Sequence, residues 1–232
     1  MINVLFVHHS SDFYGSDKSL FSLVNTLDKK RFHPMVLLPE KGPLFKFFCE
    51  NGIETHILPL AVISRAQLNL IKIFLIPFEI LKAVLAINAV SRDLHIDIVH
   101  SNTIAVLGGA VWAKIKKIPH VWSVRELIKR PKFVRKIFIQ MLRQFASMVV
   151  FNSWATRRSF TEKNKALLKK SIVIWNGVER SEKIDLARAT VFRNKLGLSQ
   201  SEILITMIGR INRWKGQTMF VQAAEVIYEK GF

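Results

Sequence analysis

Seven short apolar runs punctuate residues 1–178, separated by turns and by stretches with helical periodicity. The first, Ile2 to Val7, is almost uninterrupted, as a strand buried on both faces should be. Met35–Leu38 lies between Pro34 and Pro39, and Ile53–Leu58 follows the turn pair Asn51-Gly52. The others begin at Ile96, Pro119, Met148 and Ile172. Between the first two, Leu20, Phe21, Leu23, Val24 and Leu27 mark one face of a helix. A β-α-β-α-β order of this kind predicts an α/β fold with a parallel sheet and right-handed crossovers. The 232 residues, half of them apolar, suffice for a sizeable core.

An eighth run, Ile203 to Ile208, is read as a buried strand that leads through a turn into a helix starting near Gly216. One strand and one helix cannot cover both faces of a sheet, so this second Rossmann-like domain is expected to be incomplete. The division expected is a domain over 1–178, a linker and entry helix over 179–200, and a partial domain over 201–232. Gly197 suits the position just past the end of the entry helix.

The formal charge of +18 favours anionic partners: nucleic acid, anionic lipid or phosphorylated substrates. Much of it lies in residues 128–170, where twelve cations, Lys129 and Arg130 among them, meet one acid, Glu162. Val134, Ile137, Phe138, Met141, Leu142 and Phe145 form an apolar stripe within that charge, the pattern of a basic amphipathic helix suited to an anionic membrane surface. Residues 68–90 are the most apolar part of the chain, but Lys72, Pro77, Glu79 and Lys82 argue against a span. They are expected to form one long helix, or two joined at Pro77, packed on the sheet; the alternative is a helix resting partly in the membrane interface. No signal peptide opens the chain, and the single cysteine, Cys49, excludes an intrachain disulfide and any cysteine-based zinc site. A cytoplasmic location, peripheral on the inner face of the membrane, is the expectation. No zinc spacing, RNA-recognition signature or helix-turn-helix pattern is present, so nucleic acid is not the expected partner.

Candidate site residues fall in two places. Arg210 and Lys215 lie on the turn Gly209–Gly216, beside amides that the first turn of a helix leaves unpaired, a ready site for phosphate. His8, His9, His100, Asn102, Arg125 and Glu126 follow the expected strands, and residues there face the ligand crevice of an open α/β sheet. Ser16 is the expected N-cap of the first helix, and Gly15 permits close backbone approach. Adjacent histidines on a strand point to opposite faces, so His8 and His9 with Asp12 are not expected to hold a metal.

Four segments together resemble the group 1 (family 4) retaining glycosyltransferases of the two-Rossmann-domain, or GT-B, type. They are Tyr14-Gly15-Ser16-Asp17-Lys18-Ser19-Leu20, Asp97–Asn102, Ile174–Glu179, and Gly209-Arg210 with Lys215-Gly216. The resemblance implies an N-terminal acceptor-side domain and a C-terminal donor-side domain, of which this chain carries only the first β-α unit. It implies that Arg210 and Lys215, with Gly209 and Gly216, bind the diphosphate of a nucleotide-sugar without a metal or other cofactor. Gly15, Ser16 and Asp17 would form the loop approaching the interdomain cleft, with His100 and Asn102 on its rim. Arg125-Glu126 falls where many members carry a His-Asp pair; arginine cannot serve as a base, leaving Glu126 to orient an acceptor hydroxyl. The family's paired glutamates, seven residues apart, have no counterpart, since Glu225 and Glu229 are four apart. The implied activity is transfer of a sugar to a glycan or lipid acceptor in polysaccharide or glycolipid synthesis, with little or no turnover by this truncated form alone. The alternative is a non-catalytic basic module that binds anionic lipid or nucleic acid.

Overall fold

The computed structural model describes residues 1–63, 70–128, 131–177, 185–199, 201–211 and 215–231. Lys129 and Arg130 of the basic run, and the start of the expected entry helix, lie outside the described residues. The chain divides into two units, Met1–Val178 and Glu179–Phe232.

The first unit is a seven-stranded parallel sheet. Its strands are β1 (Ile2–Val7), β2 (Phe32–Leu38), β3 (Glu54–Ile57), β4 (Ile98–Ser101), β5 (His120–Val124), β6 (Met148–Phe151) and β7 (Ser171–Val173). Their order across the sheet is β3-β2-β1-β4-β5-β6-β7. The helices are α1 (Gly15–Thr26), α2 (Pro43–Glu50), α3 (Leu70–Val90), α4 (Gly108–Lys116), α5 (Lys132–Phe145), α6 (Trp154–Thr161) and α7 (Lys165–Lys169). The α/β fold read from the sequence is the fold observed.

Right-handed crossovers decide which face each helix covers. The chain moves one way from β1 to β3 and the other way from β3 to β7, which places α1 and α2 on one face and α3 to α7 on the other. Side-chain alternation agrees. Val4 and Phe6 pack with Leu20, Val24 and Phe48 of α1 and α2, whereas Leu5 and Val7 pack with Ile87 of α3 and Trp112 and Ala113 of α4. Burial on both faces is why the central strands read as continuous apolar runs.

The small residues opening α4 have a steric cause. A Cβ on Gly108 would lie 2.6 Å from the Ala83 Cβ and 2.8 Å from the Leu60 carbonyl oxygen, so α4 seats closely only without one. Residues 70–90 form one helix, with the exposed Pro77 inside it. No helix among the described residues is long and apolar enough to cross a membrane.

The second unit holds α8 (Leu186–Lys195) and α9 (Gln217–Glu229), neither with a buried residue. Gly197 takes φ +69° just past α8, as its position suggested. The expected strand Ile203–Ile208 is not a strand, and all six residues are exposed. A β-strand exists through its ladder hydrogen bonds, and among the described residues no strand lies beside this run.

Candidate functional site

Strand order reverses between β1 and β4, and in open parallel sheets the crevice beyond the carboxyl ends at such a reversal is where ligands bind. At that point His8, just past β1, meets Asn102, just past β4. The Asn102 Nδ2 group donates to His8 Nδ1 at 3.2 Å and to the Ser16 carbonyl at 3.2 Å. With Nδ1 accepting, the proton sits on Nε2, which donates to Asp17 Oδ1 at 2.7 Å. Burial lowers the His8 pKa despite Asp17, so this contact joins a neutral imidazole to a carboxylate. Asp17 also accepts from Ser10 Oγ at 2.6 Å and from the Tyr14 N–H at 2.8 Å. Burial alone would raise its pKa; the hydrogen bonds from His8, Ser10 and Tyr14 outweigh that and hold it well below the usual carboxylate range.

These bonds change the reading of the glycine loop. The N-cap of α1 is Tyr14, with Ser16 inside the first turn. Asp17, three residues into the helix, reaches back to the cap N–H and displaces Ser16 from the capping role. Asp17 is buried, so it fixes the loop from beneath, whereas Gly15 is exposed and Ser16 half-buried.

Arg125, the residue after β5, extends the rim. Its Nη2 donates to Asn102 Oδ1 at 3.1 Å, its Nε to the Asn102 carbonyl at 3.3 Å, and its Nη1 to Asn176 Oδ1 at 2.5 Å. Asn152, just past β6, donates to the Arg125 carbonyl at 3.3 Å. Polar residues just past β1, β4, β5, β6 and β7 (the last being Asn176) are thereby linked, and Arg125 holds the line together. Burial lowers the Arg125 pKa and Glu126 opposes that; the guanidinium remains a cation near neutral pH. Glu126 is half-buried and accepts from the Arg125 N–H at 3.2 Å.

His100 stands one step back. Its Nε2 pairs with Ser123 Oγ at 2.8 Å, and burial, with His120 and Arg125 adding to it, pushes its pKa down to about 3. His9 stood among the strand-end candidates read from the sequence, whereas Asn152 was not singled out as a ligand-binding residue. His9 Nδ1 and Asn152 Oδ1 are buried and have no hydrogen-bond partner among the described residues, and buried polar atoms are normally paired. Its position past the end of β6 was the signal that could have drawn attention to Asn152.

His8, His9 and Asp17 each offer a ligand atom within 4.8 Å of the others. The expectation that the two rings diverge fails because β1 ends at Val7 and the chain bends, bringing the ring centroids to 4.6 Å. Even so, the 2.7 Å bond to Asp17 already occupies His8 Nε2.

In the second unit, Gly216 is the N-cap of α9 at φ +80°, with no side-chain cap. Gln217 Nε2 donates to the Arg210 carbonyl at 2.8 Å, and the Lys215 Cδ lies 3.8 Å from where a Gly209 Cβ would be. Gly209, Arg210, Lys215 and Gly216 are thus neighbours on one turn at the start of α9, with Arg210 and Lys215 exposed.

The Glycosyltransferase Family 4 profile matches residues 14–182. The chain belongs to glycosyltransferase family 4. The match begins at Tyr14, the cap that Asp17 holds, and takes in every rim residue past β4, β5, β6 and β7.

Solved structures agree on the fold of this family 4 chain. HepE from Anabaena, in complex with UDP-glucose, superposes with a TM-score of 0.71 at 19% identity, covering 97% of this chain and 57% of HepE. A glycosyltransferase from Rickettsia africae gives 0.68 at 18%, with 97% and 57% covered. A UDP-N-acetylglucosamine 2-epimerase gives 0.54 at 14%, with 81% and 54% covered, so the fold alone does not fix the reaction. The chain therefore spans a little over half the length of these structures. Comparison with curated protein sequences gives no match.

Proposed function

We propose that this family 4 chain forms the acceptor-side part of a retaining, metal-independent glycosyltransferase that moves a sugar from a nucleotide-sugar to a membrane-associated glycan or lipid. In this reading residues 1–178 are the acceptor domain, 179–200 the link, and 201–232 the opening of the donor domain. The observation that carries it is the rim at the strand-order reversal, where Arg125 ties Asn102 to Asn176. Sugar hydroxyls are uncharged and need donors and acceptors fixed in place. Glu126, half-buried on the rim, supplies an acceptor and Arg125 a fixed cation. Gly15 and Ser16 bring backbone to the same rim, while His100 and Asn102 support it from below.

The donor part rests on the turn before α9. Cleaving the bond between a sugar and a nucleoside diphosphate builds negative charge on the leaving phosphate. Arg210 and Lys215, beside the α9 amides, stabilise that charge electrostatically, as cations in this position can do without a metal. HepE's UDP-glucose complex supports a nucleotide-sugar as the donor class.

The test is a titration of the chain with UDP, GDP, ADP and dTDP, followed by amide resonances. One of these is expected to shift Gly209, Arg210, Lys215 and Gly216, with the double variant R210A/K215A weakening binding about tenfold or more. Unmoved resonances for all four nucleotides, together with tight salt-dependent binding of duplex DNA, would overturn the proposal in favour of a basic binding module.

A further inference from the structure

α3 is apolar on both sides. Its inner face is covered: Ala83 and Ile87 are fully buried against the sheet, and Ile76 and Ile80 pack with the cluster that holds Leu142 of α5. Phe74, Phe78, Leu81 and Leu85 fall on the opposite side of the helix, at steps of four, three and four residues. Their exposures run from 56 to 77%. A helix that is hydrophobic all round is normally buried all round, and the first unit leaves this outer stripe open.

Charge says what covers it. α5 lies on the same face of the sheet and carries no acidic residue from Lys132 to Phe145. Phe133 and Ile137 are exposed on it, and Lys132, Lys136 and Arg143 are exposed on the adjoining side. Apolar side chains flanked by unopposed cations, in a chain of charge +18, complement a bilayer with anionic headgroups. A second copy of the chain would bring the same cations against each other. Since α3 does not qualify as a membrane span, a helix lying in the interfacial plane is the arrangement that remains.

We infer that the outer stripe of α3, with Phe133, Ile137 and the cations of α5 beside it, is the surface that seats the protein on an anionic membrane. The orientation has a consequence for the rim. α3 and α5 each start from the carboxyl end of a strand and run back toward the amino end of the next. Phe74, Phe78, Phe133 and Ile137, in their opening turns, therefore lie toward the edge of the sheet where Arg125 stands. A protein seated this way holds its acceptor rim at the headgroup level, where the sugar-bearing end of a lipid acceptor resides.

This rests on the membrane acceptor proposed above, but its test uses neither donor nor acceptor, so the two fail separately. The full chain is sedimented with vesicles of phosphatidylcholine alone and of equal parts phosphatidylcholine and phosphatidylglycerol, with melting curves as a control on folding. Binding to the anionic vesicles only is expected, weakening as salt rises. The surface variant F74S/F78S should reduce partitioning about tenfold or more, and K132E/K136E should reduce it and flatten the salt dependence. Equal binding to both vesicle types, unchanged binding by F74S/F78S, or a dimer that this variant dissociates with no vesicle binding, would each overturn the inference.

Discussion

Ile2–Val7 and Ile203–Ile208 are six-residue apolar runs of nearly the same character, and the chain treats them oppositely. The first is hydrogen-bonded along both edges, to β2 and β4, with Val7 fully buried. The second forms no strand, and Ile208 is 97% exposed. Local apolarity makes a strand possible; neighbours on both edges and helices on both faces make it real. The same contrast separates the two candidate sites. Side chains locked by burial and mutual hydrogen bonds hold the rim, whereas the turn at Gly209–Gly216 leads into α9, a helix with no fully buried residue.

The sharpest way to break this comparison is to truncate one large side chain in each unit. Trp122 is fully buried and donates to the Thr103 carbonyl at 2.8 Å. Trp122→Ala is expected to lower the unfolding free energy by about 3–5 kcal/mol. Ile208→Ala should stay within about 0.5 kcal/mol, as exposed positions do. Denaturant midpoints measure both, and a comparable loss from the two variants would end the contrast.

Acid should sharpen the comparison by a smaller amount. Burial pushes His100 and His120 down to about 3 and about 4, with His120 and Arg125 adding to the first effect and Lys170 to the second. Both rings are neutral in the fold but take up protons once unfolded below about pH 6.5. Stability should therefore fall as pH drops from about 6.5 toward 4, at about 1.4 kcal/mol per pH unit for each ring. Residues 179–232 contain no histidine, so melting of the first unit alone should carry this slope. The Asp17 carboxylate acts in a lower window: its stabilisation is present above about pH 4 and lost below it. A flat thermal midpoint between pH 6.5 and 4.5 would contradict the burial of His100 and His120.

What could be read in advance follows physical range. The sheet was legible because strands buried on both faces leave continuous apolar runs. The Asp17 hub was not legible: it depends on α1 starting after Tyr14, so that Asp17 reaches back to the Tyr14 N–H, and on His8 turning beneath it. The bonds His8–Asn102 and Arg125–Asn176 join residues 94 and 51 positions apart, a separation that no local pattern encodes. Reading Ile203–Ile208 as a strand failed for the complementary reason, since its local pattern was right but no strand lies beside it among the described residues. Strand ends marked the candidate rim residues and the cations beside a helix start marked the Gly209–Gly216 turn, while the pairing of Arg125 with Asn176 emerged only in three dimensions.

Hydrogen exchange on the intact chain, resolved by peptide, tests the central claim that one unit is a self-supporting fold and the other is not. Amides of β1, β4 and β5 should exchange only by global unfolding, while those of 203–211 and 217–229 should exchange orders of magnitude faster. Matching protection across Ile203–Ile208 and β1 would contradict the account.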